Sequence, residues 1–261
     1  MSSSKVLSGV AQSAHGASVA PAAGLRRIRL WDLPTRITHW SLVVAFSTAF
    51  ISGQLGGDWM PLHGQAGLAI VGLLVFRVVW GFIGSTYARF GQFVPGPRRV
   101  LDYLQGRWQG AGHNPLGAFS VLGLLALLGL QVGTGLFTND EIAFTGPLAP
   151  LVDEALSIRI TGFHHQLANW VLGLVIVHVV AIVFYTLVKK DQLVPPMVTG
   201  WKHVRSGESA QRGGPLAFVI ALAVALLAVY YANGGGLAHS DSPAPAATVP
   251  SAPASTPAPA W

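Results

Sequence analysis

Five histidines stand in, or at the edge of, long apolar stretches: His39, His63, His164, His165 and His178. A titratable ring in such a stretch costs solvation unless something uses it, so it marks function by default. The segment HHQLANWVLGLVIVH, residues 164–178, poses the question most sharply. At about 100° per residue, the 14 residues from His164 to His178 turn about 1400°, roughly 40° short of four full turns. The two rings therefore share one helical face, about 21 Å apart along the axis. His165 points about 140° away from His178 and is the alternative to its neighbour. Arg77 follows His63 by the same 14 residues and shares its face. The apolar stretches hold no Asp or Glu, which disfavours a proton-coupled transporter.

Five stretches must position these groups, near 37–55, 63–84, 115–137, 164–188 and 215–232. Each is close to the roughly 20 residues that a membrane-crossing helix needs. Their continuous rather than alternating hydrophobicity argues against strands. Of the 261 residues, 51% are hydrophobic and 10% charged, against about 25% charged in a soluble domain. The expected fold is an all-α integral membrane protein, a four-helix transmembrane bundle followed by a fifth C-terminal transmembrane helix. Residues 1–27 read as a cytoplasmic tail, 28–200 as a four-span domain, 201–233 as linker and fifth helix, and 234–261 as a Pro/Ala-rich periplasmic tail. RRVLDYLQGRW, 98–108, is either an amphipathic interfacial helix or a solvated connector. The loop TNDEIAFTGPLAPLVDEALSIRITG should pack over the outer face.

The net charge of +6 is a matter of topology. Lys and Arg crowd the N-terminal flank and the second and fourth loops, while the first and third loops hold only Arg159 among several acids. The positive-inside rule then puts the N-terminus in the cytoplasm and the C-terminus outside a bacterial inner membrane. No basic patch with interleaved aromatics appears, so nucleic acid is not an expected partner; the lipid bilayer is. The chain has no cysteine, which removes thiolate zinc, iron–sulfur clusters and covalent haem attachment.

Depth sorts the histidines into two pairs: His39 with His178 near the cytoplasmic side, and His63 with His164 near the outer side. Two opposed imidazoles can supply both axial ligands of a haem iron, whereas two histidines alone do not complete a zinc site. Gly53 and Gly67 provide room for a flat macrocycle or for close helix packing. Arg36, Arg77 and Arg159 are candidate propionate partners, with snorkelling to lipid phosphate the plain alternative for Arg77. Trp40 can lie on a haem edge or anchor an interface.

The segments RLWDLPTRITHW, HGQAGLAIVGLLVFRVVWGFIG, TNDEIAFTGPLA and TGFHHQLANWVLGLVIVH resemble the bacterial cytochrome b561 and Ni,Fe-hydrogenase cytochrome b family over roughly residues 28–200. The resemblance implies a four-helix core with two haems b, His39 and His178 ligating one and His63 and His164 the other. It also implies electron exchange between quinone and a redox partner, such as a periplasmic c-type cytochrome or a hydrogenase. Bis-histidine ligation leaves no open iron position, so relay rather than stand-alone catalysis is expected. Two other readings stay open: a self-sufficient superoxide:quinone or ferric reductase, and a non-haem metal-binding or transport protein.

Overall fold

The computed structural model describes residues 24–142 and 144–237. The expected tails fall largely outside them, as do His15 and His239. The chain opens with strand β1 (Arg26–Arg29), followed by helices α1 (Leu33–Leu55), α2 (Met60–Ile83), α3 (Phe90–Phe93) and α4 (Pro97–Leu104). Then come α5 (Pro115–Gly135), α6 (Glu154–Leu187), α7 (Val194–Thr199), strand β2 (Trp201–Val204) and α8 (Pro215–Ala232).

Proline and capping residues set the helix starts. Pro34, Pro61, Pro115 and Pro215 sit in the first turns of their helices, where a missing N–H costs nothing. The Asn114 side chain accepts the Gly117 N–H at 2.7 Å to cap α5, and Asp153 accepts the Leu156 N–H at 2.9 Å to cap α6. Each satisfies one donor that the first turn leaves free. Gly56 closes α1 at φ +63°, a conformation that glycine adopts without penalty.

Among the described residues, four helical stretches are long and apolar enough to cross a membrane: Gly57–Ile83, Pro115–Gly135, Glu154–Leu187 and Pro215–Ala232. The C-terminal one coincides with the stretch expected as a fifth span. Helix α1 has 23 residues, enough for a span by length, but Thr35, Arg36, Thr38, His39, Ser52 and Gln54 dilute its apolar character. It packs along α2, and α5 packs along α6, so the architecture is two antiparallel hairpins with α2 touching α5 between them. Small and aliphatic side chains meet there: Ala49, Ala66, Ile70, Leu74, Leu128 and Val171. Helix α8 lies on the other side of α2, its Ala221 and Ala225 against Phe76 and Trp80. A Cβ on Gly72 would stand 2.9 Å from Val229, so glycine lets these two helices close up, as small residues do between membrane helices. The remaining faces present exposed Val44, Phe82, Leu130, Val177 and Leu226, an apolar surface suited to lipid.

The sequence gives no sign of a sheet, yet β1 and β2 pair antiparallel, with Arg26 opposite Val204 and Arg29 opposite Trp201. Four residues each, with arginines and a tryptophan, are too short and too charged to show a period. Their effect is to tie the start of the chain to the segment before α8 at the basic end of the bundle. Of the alternatives for 98–108, residues Pro97–Leu104 are helical, with Leu101 and Leu104 exposed.

Candidate haem sites

At the end away from the sheet, His63 from the first turn of α2 faces His164 from the third turn of α6, ring centroids 6.1 Å apart and planes nearly perpendicular at 86°. A nitrogen–metal bond of about 2 Å on each side, plus the ring radii, places two opposed imidazole centroids roughly 6 Å apart. His63 Nδ1 lies 2.8 Å from the Ala49 carbonyl, and His164 Nδ1 lies 3.0 Å from the Gln131 carbonyl. A carbonyl only accepts, so each Nδ1 carries the proton and donates it. Each Nε2 is thereby left with its lone pair, the orientation that a backbone partner imposes on a ligating histidine. The Gln131 side-chain amide, 3.1 Å from His164 Nε2, is a movable group that can swing aside.

Both rings line a cavity of about 500 Å³, within the range of small-molecule and cofactor sites. Phe46, Gly67, Leu68, Leu128 and Val132 contribute to its mainly apolar wall. A Cβ on Gly67 would meet nothing within 4 Å, whereas one on Gly53 would strike His63 Nδ1 at 2.8 Å and one on Gly135 would strike His164 Cε1 at 2.9 Å. Gly53 and Gly135 thus make room for the two rings, and Gly67 opens onto the space between them. The donor set and the cradle fit a flat, apolar group held by two imidazoles.

The loop after α5 closes this end. Asn139 pairs with Thr145, and Thr161 of α6 both accepts the Asn139 N–H and donates to the Asn139 carbonyl at 3.0 Å. Asp140 accepts the N–H groups of Ile142 and Phe144. Phe144 then meets the His63 ring edge-on at 6.1 Å and covers Gly64. His165 also lines the cavity, but it is exposed, while His164 holds the partners just described.

At the basic end, His39 of α1 and His178 of α6 lie within electrostatic reach of one another. His178 Nδ1 is 3.1 Å from Ser120 Oγ, and His39 Nδ1 is buried with no hydrogen-bond partner among the described residues. An orphaned ring nitrogen is a cost that a bound group would remove. His113, in the loop entering α5, sits between Trp31 and Phe93 at 4.7 and 4.9 Å and within reach of His39, His178 and Arg77. Sequence reasoning gave it no role because it lies outside the apolar stretches; its proximity arises only when the loop folds over the end of the bundle. Gln131, Gly135, Ser120 and Phe144 were likewise unmarked by spacing.

Of the candidate propionate partners, Arg77 is buried, donates to the Ala88 carbonyl at 3.2 Å and lies over Phe90. Arg36 donates to the Val198 carbonyl, and Arg159 is exposed. Trp40 meets the His39 ring edge-on at 5.1 Å and donates to the Met197 carbonyl at 3.2 Å. Among the described residues, no group of three or more His, Cys, Asp or Glu is placed to hold a bare metal ion.

The prokaryotic cytochrome b561 family model matches residues 30–200, which contain all four paired histidines. The chain belongs to this family. It is a membrane cytochrome that binds haem b and takes part in electron transfer. It is similar to the probable Ni/Fe-hydrogenase 1 B-type cytochrome subunit of Escherichia coli K12, with 22% identity over 70% of this chain and 94% of that one. The probable Ni/Fe-hydrogenase B-type cytochrome subunit of Rhizobium leguminosarum bv. viciae is 24% identical over 73% of this chain and 94% of its own length. That of Azotobacter vinelandii is 25% identical over 67% and 88%. No solved structure matches the chain significantly.

Proposed function

We propose that this cytochrome holds two haems b and relays electrons across a bacterial inner membrane between the quinone pool and a periplasmic redox partner. His63 and His164 would hold one haem, His39 and His178 the other. The observation that carries this reading is the facing pair His63 and His164, both lining the 500 Å³ cavity and each with Nδ1 on a backbone carbonyl. The two levels are about 21 Å apart on the continuous helix α6, most of the roughly 30 Å hydrocarbon core.

Haem b would supply the one-electron chemistry, and the chain does the rest. The Ala49 and Gln131 carbonyls and the Ser120 hydroxyl would fix the orientation of the ligating rings. The Phe144 loop shields the outer end from water. A basic N-terminal end and an acidic outer loop support a periplasmic C-terminus under the positive-inside rule. The same acids would steer a basic partner such as a c-type cytochrome; the names of the relatives favour a hydrogenase.

Proteoliposomes enclosing oxidised cytochrome c, with quinol added outside, test the reading. Internal cytochrome c should be reduced only when the protein is present, and the His63→Ala variant should abolish the reaction. Equal rates with His63→Ala would refute it.

A further inference from the structure

We propose that a second cavity, at the start of α1, binds the phosphodiester headgroup of a phospholipid. It measures about 400 Å³ and is lined by Arg29 of β1, Arg36 of α1, Arg212 of the segment before α8, and Asp32. Three arginines from three separate parts of the chain line one space, the Arg29 guanidinium lying over the Trp201 ring at 5.1 Å, and none is in a salt bridge among the described residues. Three arginines against one aspartate leave an excess of positive charge. Arg36 spends one N–H on the Val198 carbonyl, while its buried Nε has no partner.

Asp32 narrows the ligand. Its Oδ2 accepts the Trp80 Nε1–H at 2.9 Å, but Oδ1 is buried without a partner, on a residue only 6% exposed. The space therefore offers donors for an anion and one acceptor seeking a donor. The non-bridging oxygens of a phosphodiester answer the arginines, and the hydroxyl of a glycerol headgroup or the ammonium of ethanolamine answers Asp32. A bare inorganic anion would meet the arginines and leave Asp32 both unmatched and repelled. Leu33 and Ile37, 57% and 55% exposed on the first turns of α1, extend an apolar surface from the rim for the acyl chains. A basic pocket at the end of membrane helices is where an anionic headgroup is drawn. This site requires only that the chain lie in a bilayer, and does not rest on haem content.

Native mass spectrometry of the full chain tests it, in micelles holding equal amounts of phosphatidylglycerol, phosphatidylethanolamine and phosphatidylcholine. One phospholipid per chain should be retained, with about tenfold preference for the two headgroups that carry a donor over phosphatidylcholine. Arg212→Gln should weaken retention by about tenfold, and Arg29→Gln with Arg212→Gln further, since each removes a charged donor. Arg212 is exposed, so the single variant should fold and keep the wild-type ratio of haem to chain. Equal retention by wild type and Arg212→Gln, or no preference over phosphatidylcholine, would overturn the proposal. Stabilisation of lipid-free protein by inorganic phosphate, with no effect of phospholipid, would overturn the lipid assignment in favour of a soluble phosphate.

Discussion

His113 gives the protein a stability that fails in mild acid. Its ring is packed between Trp31 and Phe93, and Nδ1 is buried without a partner. Burial, reinforced by the positive charge of Arg77 and then by His178 and His39, pushes its pKa down from 6.5 to about 3. The unfolded chain therefore takes up a proton near pH 6.5 that the folded chain refuses until near pH 3. This contribution is fully present above pH 6.5 and is lost progressively as pH falls through about 3. Between pH 7.5 and pH 5, linkage gives a loss of about 2 kcal/mol. For a chain of this size that corresponds to about 4–8 °C in Tm. His113→Phe keeps an aromatic ring between Trp31 and Phe93 and cannot protonate. Thermal unfolding by tryptophan fluorescence in detergent, at both pH values, should show a Tm drop smaller in His113→Phe than in wild type by that amount. Identical drops in the two proteins would refute the burial argument.

Two substitutions probe the packing around the sites. Gly53→Ala puts a methyl group 2.8 Å from His63 Nδ1, so the ring must move off the Ala49 carbonyl. The expected outcome is a 10- to 100-fold weaker hold on the outer haem, roughly the cost of losing a partner that orients a ligand, read by haem titration with the inner site unchanged. Trp80→Phe leaves the buried Asp32 carboxylate without its one donor, at a cost of about 1–3 kcal/mol measurable as a lower Tm at constant haem content.

The sequence and the structure agree where the signal is periodic. The 14-residue spacing in α6 and the matched depths of the histidines anticipated that His63 meets His164, because a regular helix converts spacing into geometry. The same regularity placed α2, α5 and α8 within a few residues of their expected bounds, whereas α6 begins at Glu154, ten residues before its expected start, because Asp153 caps a helix whose polar first turns carry no apolar run. Helix α1 begins at Leu33, four residues before its expected start, since Thr35 and Arg36 in its first turn interrupt the apolar run. What spacing could not reach depends on chain segments far apart in sequence. His113 and Phe144 act from loops, β1 finds β2 across more than 170 residues, and Arg36 turns to the Val198 carbonyl. Gly53 follows His39 by 14 residues and shares its helical face by spacing, yet it backs the ring of His63. Helix periodicity fixes which residues share a face, but the neighbour on that face is set by tertiary packing.

The measurement that bears most directly on the account is the ratio of haem b to chain in purified protein, by pyridine haemochrome, for wild type, His39→Ala and His63→Ala. Two haems in wild type and one in each variant are the result the account predicts. A single haem in wild type that survives either substitution, or a colourless protein expressed with ample haem, would contradict it.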